Sequence, residues 1–453
     1  MKHEANVVIC GAGILGISVA YQLAVQHGIS GIFIVDERPP LTLTSDKSTE
    51  CYRNWWPAPQ DAMVRMMNRS IDLMEDFARQ SNNQFALNRR GYLYVTCEAE
   101  GVETLRGSAS EAALLGAGEM REHNKASSTY QPHQVEGFAG AEGADLLTDP
   151  ILILRHFPYL SSEVTGALHI RRAGWLSGQT YGAWLLEQAQ QAGTRLVSGH
   201  VSNIDTSAGT VSSVWLQDGS EIKTSTFVNA AGPHLAAVGR MLGVEIPVVN
   251  ELHLKASFND HLGAVGREAP LVICADEQRL HWTQEERAAL AEDAEAAWLL
   301  GPLPAGAHTR PEGGKDAQSI LVLWDTHNQP VKPTFPIAED PLVAELAVRG
   351  LVRILPRMRA YGERMPRFIL DGGYYTKTLE NRPLACRLPL AGAYIIGAAS
   401  GFGIMAAAGL SELLAGHITG AELPPYAGMF DLARYNDRAY QALIQNWGES
   451  WQL

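Results

Sequence analysis

Cysteine is scarce in this 453-residue chain, and the five present (Cys10, Cys51, Cys97, Cys274 and Cys386) form no CxxC pair. That spacing suggests neither a disulfide framework nor a zinc site, and it fits a reducing, cytoplasmic compartment with no metal expected. Basic blocks are also missing. With a formal charge of −13, the chain is a poor match for a nucleic-acid partner. No internal repeat or low-complexity tract interrupts it, and the N-terminus has no basic region beyond Lys2 and no small-residue cleavage site of the signal-peptide kind. Two uncharged stretches, 5–26 and 390–411, have the length of a membrane span. Each contains clustered glycines and divides into strand, loop and helix, so neither is expected to cross a bilayer. The length suggests two or three domains, or one large interleaved enzyme.

What is present is concentrated first in residues 5–38. The apolar run Val7, Val8, Ile9, Cys10 reads as a buried strand. Gly11, Gly13 and Gly16, with Ile14 and Leu15 between the last two, complete G-x-G-x-x-G, and the apolar pattern from Ile14 to Gln26 fits a buried helix. A second strand, 31–35, ends at Asp36, 20 residues beyond Gly16, where a dinucleotide-binding unit places a carboxylate for a ribose hydroxyl. The helix N-terminus would present free N–H groups and a positive dipole end to the pyrophosphate.

Beyond Asp36, the loop 44–57 mixes hydroxyls, Arg53 and the adjacent Trp55 and Trp56, unusual content for a connector. A helix over 60–80 carries Met63, Met67, Met74 and Phe77 on one face, a spacing that reads as core. Strands are expected within 86–97, a helical segment near 99–125, a turn at Gly174 and Trp175, and a helix over 179–191. Asp218 and Gly219 mark a hairpin turn. Thr283 and Glu286 fit a capping box, and prolines at 330, 333, 336 and 341 mark an extended connector before a helix near 342–355.

Three motifs together resemble the D-amino acid oxidase-like FAD oxidoreductases, the family of glycine oxidase and sarcosine oxidase. They are VVICGAGILG at the start, VNAAGPH at 228–234, and GGYYTKTLENRPL followed by YIIGAASGFGIMAAAGLSELLAGHITG near the end. The resemblance covers most of the chain. It implies an α/β (α+β overall) architecture of the p-hydroxybenzoate hydroxylase type, with a Rossmann-like FAD domain from 1–85, 163–243 and 371–453. The substrate domain, an antiparallel sheet over the flavin, would use 86–162 and 244–370 with an insertion at 263–318. It further implies that FAD contacts Gly11, Gly13, Ile14, Leu15, Gly16, Asp36, Glu37, Arg38, Val201, Ala231 and Gly232 at the adenosine end. Lys47, Ser48 and Thr49 would pass over the flavin, and Gly397, Gly401, Phe402, Gly403, Ile404 and Met405 would open a helix, 404–415, beside it.

Arg53 is expected to anchor substrate or polarise the flavin, the alternative being a surface Arg paired with Glu50. Tyr375, beside Thr376, is expected to face substrate. His327 either lies near the flavin face or merely ends its strand. His253 and Lys255, two apart on a strand, share a face that looks either at the flavin or at solvent. Trp55 and Trp56 either wall the pocket or belong to the core.

The chain departs from the covalent-flavin members. Gly373 stands where they carry Cys, so FAD is expected to be non-covalent; Met405 replaces a substrate-gripping Lys, and the strand 319–328 lacks their oxygen-activating Lys. The expected activity is oxidation of a C–N bond in a small amine or amino acid, with oxygen or another acceptor regenerating the flavin. A hydroxy-acid or polyol-phosphate dehydrogenase, a non-catalytic flavin-bound assembly factor and a nicotinamide enzyme remain alternatives; the late second glycine loop disfavours the last.

Overall fold

The computed structural model describes residues 2–56, 59–314, 316–326 and 329–445. His327 therefore lies outside the described residues, as does the end of the tail with Trp447 and Trp451. Among the described residues the strands form two principal sheets and two small ones.

The first is six-stranded, in the order Arg195–Ser198, Ile32–Asp36, Val7–Cys10, Phe227–Asn229, Ala393–Gly397, Leu384–Arg387. All neighbours are parallel except the last pair. Val7–Cys10 is buried along its whole length, as an inner parallel strand covered on both faces must be. The helices Ile14–Tyr21, Ala62–Gln80, Gly178–Gln191 and Gly403–Thr419 pack together on one face, and Met63, Met67, Met74 and Phe77 sit in that core as the helical spacing predicts. Both uncharged stretches resolve into strand, glycine loop and helix, and no described helix is long and apolar enough to cross a membrane. Beyond the other face lies the hairpin Thr210–Leu216 and Glu221–Lys223, turned at Asp218 and Gly219.

The second sheet has nine strands, ordered Ile369–Lys377, Val249–Asn259, Ser319–Leu323, His308–Pro311, Leu271–Cys274, Tyr92–Thr96, Gly166–Ile170, Ala144–Leu147, Met120–His123. It is mostly antiparallel, with two parallel pairings. Alternation along Val249–Asn259 sends Ala256 and Phe258 into a separate core under helix Leu342–Leu351. Glu251, His253, Lys255 and Ser257 consequently face the opposite side.

Several elements differ from the expectations. Gly166–Ile170 and Ile369–Lys377 pair within the nine-stranded sheet although the segments beginning at 163 and 371 were assigned to the dinucleotide unit; the first is buried throughout and the second is buried only over its middle, so pattern alone does not say which sheet takes them. The stretch 263–318 is not merely an insertion, because it supplies two inner strands, Leu271–Cys274 and His308–Pro311. The helix near 99–125 stops earlier, at Ala112 and a π turn, since Gly116 and Gly118 take positive φ before strand Met120–His123. Gly174 and Trp175 form no turn. They lie in Ala173–Trp175, a strand paired antiparallel with Cys51–Arg53, which gives the polar loop its fixed course.

Candidate cofactor and substrate site

Strand Val7–Cys10 ends at Gly11, whose φ of 115° suits only glycine. A Cβ there would stand 2.4 Å from the Ala230 carbonyl oxygen, and one at Gly16 would stand 2.0 Å from that of Gly11. These two glycines therefore set how closely the helix and the neighbouring loop approach the strand. Asp36 accepts hydrogen bonds from the Ala12 N–H (2.7 Å) and the Arg38 N–H (2.9 Å), which fixes its carboxylate at the groove wall. Helix Ile14–Tyr21 begins on Gly13 with no capping from that residue, and the Ile14 N–H donates to Ser45 Oγ at 2.9 Å.

A cavity of about 240 Å³ lies here, bounded by Gly11, Gly13, Asp36, Glu37, Arg38 and Val201 on one side and by Ala231 and Gly232 on the other. A second, of about 90 Å³, is lined by Gly13, Ile14, Leu15, Ser48, Gly232, Gly397, Gly401, Gly403 and Ile404. The two share Gly13, Thr44, Ser45 and Gly232 and so form one groove, from the Asp36 carboxylate to the start of helix Gly403–Thr419. That helix has no side-chain cap and no acid in its first turn. A carboxylate at one end, uncapped backbone donors in the middle and a second helix N-terminus at the far end suit an extended, phosphate-containing dinucleotide.

The remaining expected residues lie elsewhere. Gly16 packs on Gly11 outside the groove lining. Lys47 turns to Asp46 (2.7 Å) and Asp371 (3.2 Å). Phe402 is buried edge-on against Trp56, and the buried Met405 accepts a hydrogen bond from Ser70 at its carbonyl. Arg53 is neither exposed nor paired with Glu50. Its guanidinium lies over Trp56 (4.6 Å) and Tyr92 (5.6 Å), with Nε donating to the Trp55 carbonyl. Trp55 and Trp56 are core residues.

Across the loop 44–50 lies a third cavity, again about 240 Å³, lined by Asp46, Glu50, Lys255, Ser257, Glu312 and Asp371. The inward face of the large sheet meets the loop there. Lys255 Nζ donates to the Ser48 carbonyl at 2.7 Å, and Arg310, 1% exposed, sends Nε and Nη2 to the Thr49 carbonyl (3.0 and 2.8 Å). Burial pulls the Lys255 ammonium below its usual range, with Glu50 and Asp371 opposing, and burial raises the Glu50 carboxyl. His253 and Lys255 thus look inward, not to solvent. Glu50 caps helix Gly178–Gln191 through the Gly178 N–H (2.8 Å). Arg310 escaped sequence reading because it lay inside the supposed insertion, on a short strand, HTRP, that is buried at every position and carries no alternation. Glu50 was read only as a possible partner of Arg53.

The family model for "DAO: FAD dependent oxidoreductase" matches residues 6–417. The chain belongs to this family. As a DAO-family enzyme it uses FAD, and the groove from Asp36 to Gly401 provides the matching donor set. No curated protein matches the chain by sequence. Among solved structures, L-proline dehydrogenase from P. horikoshii shares the fold at TM-score 0.72 and 19% identity, covering 96% of this chain and 99% of that one. Glycine oxidase from Geobacillus kaustophilus gives 0.72 at 16% identity, with coverage of 96% and 98%. The L-α-glycerophosphate oxidase from Mycoplasma pneumoniae, with FAD bound, gives 0.68 at 14%, covering 95% and 99%. The Rossmann-like sheet facing a large antiparallel sheet is the architecture this DAO-family chain has in common with them.

Proposed function

We propose that this enzyme oxidises a C–N bond of a small amine or amino acid to the imine. The observation that carries this reading is the meeting of the loop 44–50 with the groove and with the inward face of the large sheet: Lys255 and Arg310 bond the loop's Ser48 and Thr49 carbonyls, and Tyr375 packs on the glycine loop at Gly401. FAD supplies the acceptor for a hydride from the carbon next to nitrogen. In this reading Asp36 and the two helix N-termini would take the cofactor, and the substrate would be held against it where the inward face of the large sheet meets the groove at Gly401. Glycine oxidase, L-proline dehydrogenase and L-amino acid deaminase share this fold, in line with a C–N substrate; L-α-glycerophosphate oxidase shares it too, so the fold does not choose between the two readings.

Oxidation of an alcohol would call for a free base near the reacting carbon. His253 is poorly suited, since both its ring nitrogens face carboxylates. The FAD is non-covalent in this reading. Gly373 offers no side chain and abuts Thr44 and Lys47, while burial holds the Cys51 thiol above its usual range and so unreactive.

The test is the visible absorption spectrum of the purified protein, followed by acid precipitation and anaerobic mixing with a panel of amines, amino acids and hydroxy acids. Flavin bands that move to the supernatant, and bleaching by an amine, are expected. Bleaching by hydroxy acids alone would replace the C–N reading with an alcohol one.

A further inference from the structure

His253 lies on the inward face of the large sheet, its side chain 1% exposed and its ring between two carboxylates. Nδ1 stands 2.8 Å from Asp325 Oδ1, and Nε2 stands 3.4 Å from Glu251 Oε2. Glu251 in turn accepts from Lys377 Nζ at 2.7 Å. The result is a line of alternating charges, Lys377, Glu251, His253, Asp325, across three neighbouring chain segments. A neutral imidazole can donate from only one nitrogen, so one carboxylate would face a bare lone pair. The doubly protonated ring satisfies both.

The imidazole is also stacked on Tyr375, with ring centroids 3.9 Å apart and planes 17° from parallel. Tyr375 also packs on the glycine loop of the cofactor groove: a Cβ built on Gly401 would come within 2.5 Å of the phenol ring. The ring is thus fixed by a buried cation and the glycine loop that lines the groove. A cation over an aromatic face gains most where water is excluded.

We propose that His253 is a positioning residue, an imidazolium clamped by Asp325 and Glu251 that sets the Tyr375 ring at the flavin end of the groove. This rests on the reading of that end as the catalytic face. It explains why Glu251 and Asp325, which have no place among the groove residues, are brought to this spot.

Burial alone would lower the His253 pKa. Asp325 and Glu251 outweigh it, and the ring titrates above the ordinary histidine range. The charged form therefore contributes below that raised value and its contribution is lost as pH rises through it. Among the described residues, the other ionisable groups on these strands are Lys255 on its own strand and Asp371, Tyr375 and Lys377 on the paired strand. Beyond Ser319–Leu323 lie His308, which burial keeps below its usual range, and Arg310. Lys47 reaches over Gly373 from the loop.

The experiment uses the FAD-loaded protein with ring-labelled histidine, as wild type, His253→Gln and Asp325→Asn. Its first readout needs no substrate. The His253 resonance, assigned by its loss in His253→Gln, is expected to titrate above the ordinary histidine range, and to titrate lower in Asp325→Asn. Titration at or below the ordinary range in the wild type would overturn the proposal. The second readout is the bound-flavin spectrum, expected to shift in both variants, and an unchanged spectrum in both counts against it. With a reactive amine, kcat of His253→Gln is expected to fall by about tenfold, within the ~100-fold that an ångström of misplacement can cost. In a Tyr375→Leu background the same substitution is expected to cost less than about twofold, because the pair acts as a unit. Additive losses would mean a merely structural histidine. If His253→Gln does not fold, Asp325→Asn alone decides. If no amine reduces the flavin, the first two readouts still stand, so the substrate reading and this one fail separately.

Discussion

Gly11 shows how much one position can carry. Its left-handed φ and the 2.4 Å approach of the Ala230 carbonyl both oppose a side chain. Gly11→Ala is expected to destabilise the protein by about 2 kcal/mol and to weaken FAD retention, read by thermal melting with and without added FAD. That glycine and Asp36 were legible in the sequence because their work is done over a short span, where spacing encodes geometry. Arg53 was not. The sequence points to a substrate anchor, or to a surface ion pair with Glu50, yet the backbone of Cys51–Arg53, paired with Ala173–Trp175, carries the guanidinium into an aromatic box. His253 was visible only as a member of an alternating strand. Its meaning depends on Asp325 and Tyr375, which reach it across strand pairing that no local pattern records.

Elements were readable wherever a periodic face or a cap spoke clearly. The Met-bearing helix Ala62–Gln80, the hairpin at Asp218 and the capping box on Gln284–Glu292 all form. This last helix has no fully buried residue, and it is held by its N-cap, the Glu286–Arg349 ion pair and Leu290 against the neighbouring core. Thr283→Ala is expected to cost about 1 kcal/mol locally. Hydrogen exchange over 284–292 would rise while the global melting temperature hardly moves; a large drop in melting temperature would show that the helix is coupled to the core after all. Assigning strands to sheets was harder. Leu271–Cys274 and Gly166–Ile170 are continuous buried runs, and a strand buried on both faces carries no alternation to say which neighbour it seeks.

At the scale of the molecule, the loop 44–56 is the element both sheets share. It forms one wall of the cofactor groove, receives Lys255 and Arg310 from the large sheet, and pairs with Ala173–Trp175. FAD bound in the groove is therefore expected to protect this loop from proteolysis. Limited digestion of the FAD-loaded and FAD-stripped protein, with mass spectrometry of the first cuts, checks this; equal cutting in both forms would show that the loop is ordered without the cofactor.

The six-stranded sheet has a further consequence for biosynthesis. Its first strand, Val7–Cys10, is made early, but the parallel neighbours that complete its wall run to Ala393–Gly397, and the second glycine loop follows at once. A ribosome must therefore deliver the whole span from Val7 to Gly403 before a flavin can be held at both ends. Loading with FAD acts as a late checkpoint on the newly made polypeptide, and flavin supply would govern how much of it survives quality control rather than how fast it is made.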